Sequence, residues 1–408
     1  MSTRTGSPST ARRQLIPLFA AAAIGAFAQS VAGSAGGLAA VEVGGGESWA
    51  GMPQAMIVLG SAAAAIGIGR VARRFGRGRA LALGTAVGAI GALVVLVSSI
   101  VGLIALMLIG TLLFGAGNAA VMLSRYAAAD RAQPSRRTQA LTAVLVATSV
   151  GAVLGPLLLE PSDAVGMDLG LPHLAGCFLV GAIGFGVSTV FFALLVRAPV
   201  SGRTPASEPA ESSNRRDTVV GIGVLSLVNI VMVGVMTTVP VHLSHLHVGL
   251  SGIGMVISLH IAAMFGPSAI SGALVVRWGA EQTAMLAGAV LGLAAVLAAW
   301  MPQAIPAVAA STTLIGFGWN LGLVAGSSLL ARSAPEEIRL RREGWGEVGM
   351  GAAAAGGGAV SGFVLAAGGF GLVVTVAGCT AIVLLAWAGL ARQRVPAEPE
   401  TSPAERRL

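Results

Sequence analysis

Twelve stretches of this chain, at 15–41, 52–69, 80–98, 100–123, 139–159, 174–196, 219–241, 251–275, 283–300, 305–331, 346–366 and 370–391, are apolar over the length that crosses a bilayer. A spanning helix needs about twenty largely apolar residues. A soluble protein with a large core does not separate a dozen such runs by short polar loops. Only 10% of the 408 residues are charged, against about a quarter in soluble proteins. The pattern predicts an all-α polytopic membrane protein with twelve transmembrane helices.

The net charge of +8 suggests nucleic acid until the charges are located. There is no lysine, and the 25 arginines fall in the amino terminus, in the loops that follow even-numbered spans, or in the carboxyl tail. The opposite loops carry Glu42, Glu47, Glu160, Asp163 and Asp168 instead. By the positive-inside rule both termini are expected in the cytoplasm, in a bacterial plasma membrane whose anionic headgroups balance the arginines. Nucleic acid is therefore not an expected partner. Without lysine there is no P-loop, so an ion gradient, of protons or another ion, is the expected energy source.

One tight basic turn, Gly69-Arg70-Val71-Ala72-Arg73-Arg74-Phe75-Gly76-Arg77-Gly78-Arg79, joins the second and third spans, and a fainter copy, Gly272 to Gly279 with Arg277, joins the eighth and ninth. The triplet Ala-Gly-Cys also occurs twice, at Ala175 and Ala377, so the chain reads as duplicated. The cysteines Cys177 and Cys379 both lie in apolar runs and imply neither disulfide nor metal site. The one long break in hydrophobicity, 198–217, reads as a cytoplasmic linker between bundles at 15–197 and 218–391, with polar tails at 1–14 and 392–408.

These turns resemble the Gly-x-Leu-x-Asp-Arg-x-Gly-Arg-Arg loop of the major facilitator superfamily and its echo in the second half. The resemblance implies two six-helix bundles around a central cavity, alternating access by rocking, and a small-molecule substrate; no cofactor is expected, and a monomer is. Gly69, Arg73, Arg74, Gly76, Arg77, Gly272, Arg277 and Gly279 are the corresponding gate positions. Arg73 and Val276 stand where the family usually has Asp. Helix eleven opens with Glu343 and Glu347, so a charge-swapped latch to Arg73 is one reading, and three solvated surface charges the other. Gly151-Ala152-Val153-Leu154-Gly155-Pro156 resembles the Gly-x-x-x-Gly-Pro element of facilitator exporters: glycines give a smooth packing face and proline lets the helix bend. Arg125-Tyr126-Ala127-Ala128-Ala129-Asp130 and Gly318-Trp319-Asn320 resemble fragments of one bacterial facilitator group. Thr111 occupies the place of a common facilitator arginine, so that residue's role does not transfer.

Candidate cavity residues follow from polar or flexible groups at membrane depth. Gln29 reads either as a helix-packing residue or as part of a wet wall; Asn118 in helix four is a further polar candidate, and Asn229, Met232 and Met236 mark helix seven. His260 lies mid-span, where ionisable groups usually face the interior or a water-filled cavity. It reads as a coupling or substrate-contacting residue or as a neutral imidazole bonded to a neighbour. Trp319 and Asn320 could stack on and hydrogen-bond a substrate, or simply pack. His242, His245 and His247 are expected in a solvated loop, with no metal. The function expected is proton-coupled export of a hydrophobic or amphipathic small molecule, with import of a neutral metabolite or a non-transporting scaffold as alternatives. An enzyme is not expected, because the spans hold no clustered carboxylates, Cys–His pair or metal ligands.

Overall fold

A chain in hydrocarbon must satisfy its backbone internally, and a helix does so within one segment. The computed structural model describes residues 8–131, 137–194, 215–332 and 336–393, and these are helical almost throughout. The first half contributes α1 (Pro8–Gly44), α2 (Met52–Phe75), α3 (Arg77–Val101), α4 (Ile104–Arg131), α5 (Arg137–Leu157), α6 (Leu159–Asp168) and α7 (Ala175–Leu194). The second contributes α8 (Arg215–His245), α9 (Leu250–Phe265), α10 (Ser268–Trp278), α11 (Ala280–Trp300), α12 (Ile305–Ala331) and α13 (Glu336–Gln393). Among the described residues ten helical segments are long and apolar enough to span a membrane, and the bent pair of α5 and α6 makes an eleventh. Dividing α13 at its non-helical Gly368 and Gly369 brings the count to the expected twelve.

Several boundaries differ from the sequence expectation. Residues 8–14, read as polar tail, are the start of α1. The eighth span breaks at Gly266–Pro267, because a proline has no N–H for the carbonyl one turn back and its ring crowds that carbonyl. The fifth bends by 56° between α5 and α6, just past Pro156, so part of the loop expected after it is helical. The expected linker lies outside the described residues up to 214, and its last residues, from Arg215, already belong to α8.

The packing of the first half recurs in the second. α1 lies against α5 and α7 as α8 lies against α13; α2 packs on α4 as α9 and α10 pack on α12; α3 packs on α7 as α11 packs on α13. The two gate turns match in backbone: Gly76 has φ 89° and ψ 155°, and Gly279 has φ 89° and ψ 162°. That region is open to glycine and costly for other residues.

The halves meet closely at the end of the molecule that carries Glu42, Glu47 and Asp163, opposite the arginines. There a Cβ on Gly254 of α9 would collide with the carbonyl of Pro156, and one on Gly51 with the carbonyl of Gly358. Ser258 Oγ donates to the carbonyl of Val153 at 2.8 Å, and His245 lies 3.5 Å from Glu47. Within the first half His173 bridges Glu42 at 2.8 Å and Asp163 at 3.4 Å. At the arginine-rich end, Arg332 grips Glu281 through two hydrogen bonds of 2.8 and 3.1 Å, which raises its guanidinium pKa above the ordinary value.

Candidate functional site

Between the halves lies a cavity of about 350 Å³. Three helices build most of its wall, each through one stripe. α1 presents Gln29, Ser30, Gly33, Ser34 and Gly37; α8 presents Met232, Val233, Met236, Thr237 and Pro240; α9 presents Ile257, His260, Ile261, Met264 and Phe265. The spacing is that of residues stacked on one face of a helix. Gln54 from α2 and Asn118 from α4 add amide groups. Among the described residues no arginine, aspartate or glutamate lines the cavity, and His260 is the single titratable side chain there.

The floor of the α1 stripe depends on Pro156. Without an N–H at that position the carbonyl of Ala152 loses its helical partner, and Ser30 Oγ donates to it at 2.6 Å. A serine restoring a freed carbonyl in lipid is a recognised device for tolerating proline in a span. Gly151 and Gly155 make the contact possible: a Cβ on the first would strike the carbonyl of Ala23, and one on the second would sit 2.6 Å from Ser30 Cβ.

His260 is 1% exposed. Its Nδ1 lies 2.7 Å from the carbonyl of Thr312, which fixes the hydrogen there and leaves Nε2 of the neutral ring as an acceptor. That Nε2 has no protein partner, and neither does the buried Oε1 of Gln29. Asn118 donates to Ser61 at 3.1 Å.

Of the cavity candidates read from sequence, Gln29, Asn118, Met232, Met236 and His260 line the space; Asn229, Trp319 and Asn320 do not, a correction with a clear cause. Their polar atoms are taken by neighbouring helices. Trp319 Nε1 donates to Asn229 Oδ1 at 2.8 Å, Asn229 Nδ2 donates to the carbonyl of Met350 at 2.8 Å, and the indole meets Phe265 edge-on at 6.2 Å. Trp319 thus buttresses a cavity residue from behind. Asn320 spans the break between α9 and α10, donating to the carbonyl of Met264 at 2.7 Å and to Ser268 Oγ at 2.9 Å while accepting from Ser271.

Of the residues expected at the gate, Arg73, Arg74, Arg277 and Glu347 are exposed. No ion pair joins Arg73 to Glu347 among the described residues, and the Glu343 side chain lies outside them. Gly69 and Gly272 sit within α2 and α10, and Arg77 lies 6.0 Å from the Tyr126 ring. Of the histidines expected in a loop, His242 and His245 instead belong to the last turns of α8: His242 stacks on Phe370 at 4.0 Å and its Nε2 lies 2.6 Å from the Pro302 carbonyl, while His245 faces Glu47. Sequence reasoning passed over Gln54, Ser34, Thr237, Met264 and Phe265. Helical spacing held the signal for Met264, one turn beyond His260, and for Ser34, one turn beyond Ser30.

The profile of the Major Facilitator Superfamily matches residues 18–321. The chain belongs to this superfamily. It is 34% identical over 365 residues to the uncharacterized MFS-type transporter YdeG of Bacillus subtilis, covering 86% of this chain and 85% of the relative. It is 27% identical to the riboflavin transporter RfnT of Brucella anthropi, over 79% of this chain and 81% of that one. Among solved structures, a bacterial homologue of the human lysosomal transporter Spinster superposes with a TM-score of 0.74 at 13% identity, covering 96% of this facilitator and 98% of that chain. The protein is accordingly a membrane transporter of the facilitator type, not an enzyme, and it acts on a small molecule.

Proposed function

We propose that this facilitator exports an uncharged amphipathic small molecule from a bacterial cytoplasm across the plasma membrane in exchange for protons. The observation that carries the reading is the cavity wall: methionines and Phe265 beside amides and hydroxyls, with His260 as the one titratable group among the described residues that line it. Polarizable methionines adapt to varied apolar shapes. A cavity without fixed charge gives a phosphate or carboxylate no counter-ion. A proton arriving at His260 Nε2 changes that atom from acceptor to donor, which couples the ionic state to the polar pattern the cargo meets.

Direction rests on the Gly151, Gly155 and Pro156 element, which resembles that of exporters. The positive-inside rule assigns the arginine-rich end, with both termini, to the cytoplasm, so the tightly joined end faces outside. Alternating access passes through that state in either direction of transport. Uptake of a neutral metabolite is a second reading, favoured by the relative named as a riboflavin transporter.

The test is accumulation of neutral fluorescent amphipaths and of riboflavin in pump-deficient bacteria expressing the chain or its His260→Ala variant, with and without a protonophore. Lower accumulation that protonophore and mutation both abolish supports proton-driven export. Raised accumulation of riboflavin or of any probe supports uptake and sinks the export reading.

A further inference from the structure

Two residues that line one cavity, one from each half of the protein, each carry a buried acceptor without a donor: Gln29 Oε1 on α1 and His260 Nε2 on α9. Buried polar atoms are nearly always hydrogen-bonded, and each exception calls for a physical explanation. Among the described residues no other side chain lining the cavity carries a buried polar atom without a partner. The acceptor role of the histidine is fixed by geometry, since Nδ1 must keep its hydrogen for the Thr312 carbonyl. The donors that share this wall, among them Gln54, Asn118, Ser34 and Thr237, reach neither of the two atoms.

We infer that the transported molecule is a hydrogen-bond donor on both flanks, a neutral ring compound carrying N–H or O–H groups that engage Gln29 Oε1 and His260 Nε2 together. This rests on the amphipathic-cargo reading above and narrows it. A site built to receive donors rejects an analogue that lacks them, because its acceptors then stay buried and unpaired. The apolar body of such a cargo rests on Met232, Met236 and Phe265. Because the two acceptors belong to different halves, cargo that satisfies both also ties the halves together.

The probes are two matched pairs: a neutral aminocoumarin with its N,N-dimethyl counterpart, and riboflavin with its imide N-methyl derivative. Binding of each is measured by fluorescence on the purified full-length protein and on its His260→Phe variant. In at least one pair the N–H member is expected to bind about tenfold or more tightly than its methylated partner, and His260→Phe is expected to erase that gap. Equal binding within both pairs overturns the donor inference while leaving the amphipathic-cargo reading intact. No binding of any of the four removes that reading, and the inference with it.

A second measurement does not depend on the probe. Gln29→Met replaces an unpaired acceptor by an apolar chain of similar volume, so the melting temperature of the cargo-free protein is expected to hold or rise while donor-probe binding falls. A drop of about five degrees or more would mean that the amide serves the fold, and would overturn the inference.

Discussion

The hydroxyl of Ser258, in the second half, donates to the carbonyl of Val153, in the first, across 2.8 Å. One residue earlier, the carbonyl of Ala152 receives Ser30 from its own half. Consecutive carbonyls at the end of α5 are therefore served from opposite sides of the cavity. One bond must break each time the joined end opens, and the other can persist.

Ser258→Ala should loosen that closure. A neutral hydrogen bond is worth about 1 kcal/mol net, so the open population should rise about fivefold. Spin-label distances between α6 and the start of α9, in a background without Cys177 and Cys379, would report it. An unchanged distance distribution would show that the other contacts at that end, Gly254 against Pro156, Gly51 against Gly358 and His245 beside Glu47, hold the closure without it.

Ser30→Ala should destabilise the first half by about 1–3 kcal/mol, because it leaves the carbonyl of Ala152 buried without a donor. Pro156→Ala restores the missing N–H, so the double variant should recover most of that loss. Thermal unfolding of the four proteins gives the coupling energy, and additive losses would argue against the compensation.

Asn320→Ala should lower stability and transport together, since the side chain holds Met264, Ser268 and Ser271 across the break in the eighth span. Asn320→Asp keeps the acceptor for Ser271 but loses both donated bonds, and should fall nearly as far. Transport at wild-type level with either substitution would mean that the break is held by backbone packing.

Arg73→Glu should impair transport severalfold through like-charge repulsion with helix eleven once the arginine-rich end shuts, and adding Glu347→Arg should restore it. The two residues are exposed and apart at that end in the present conformation, so the pair would belong to the alternate one. Measured uptake or efflux in the double variant decides the matter: no rescue leaves Arg73 a solvated charge.

The fold was legible because hydrophobic length is a coarse and one-dimensional quantity. Twelve runs, their arginine placement and the doubled turn are all local features of the string. The cavity was legible only where chemistry is unusual at depth, as with His260 and Gln29. Trp319, Asn229 and Asn320 looked equally unusual, yet their partners, the carbonyls of Met350 and Met264 and the hydroxyls of Ser268 and Ser271 among them, lie on neighbouring segments that no local pattern announces. Gln54 was hidden for another reason: it follows Pro53 at the very start of α2, where a polar residue looks like the edge of a span rather than its wall. The breaks near Pro156 and Pro267 were marked by proline, but whether a proline bends or divides a span depends on which neighbour repairs the freed carbonyl.

Gly76 and Gly279 share φ 89° and nearly the same ψ, although the first lies between Phe75 and Arg77 and the second between Trp278 and Ala280. The two turns keep one dihedral angle while the residues that follow them differ in charge. The two hairpins are thus mechanical homologues with different electrostatics. A swap of residues 69–79 with the corresponding second-half segment would exchange their charge and leave the bend untouched.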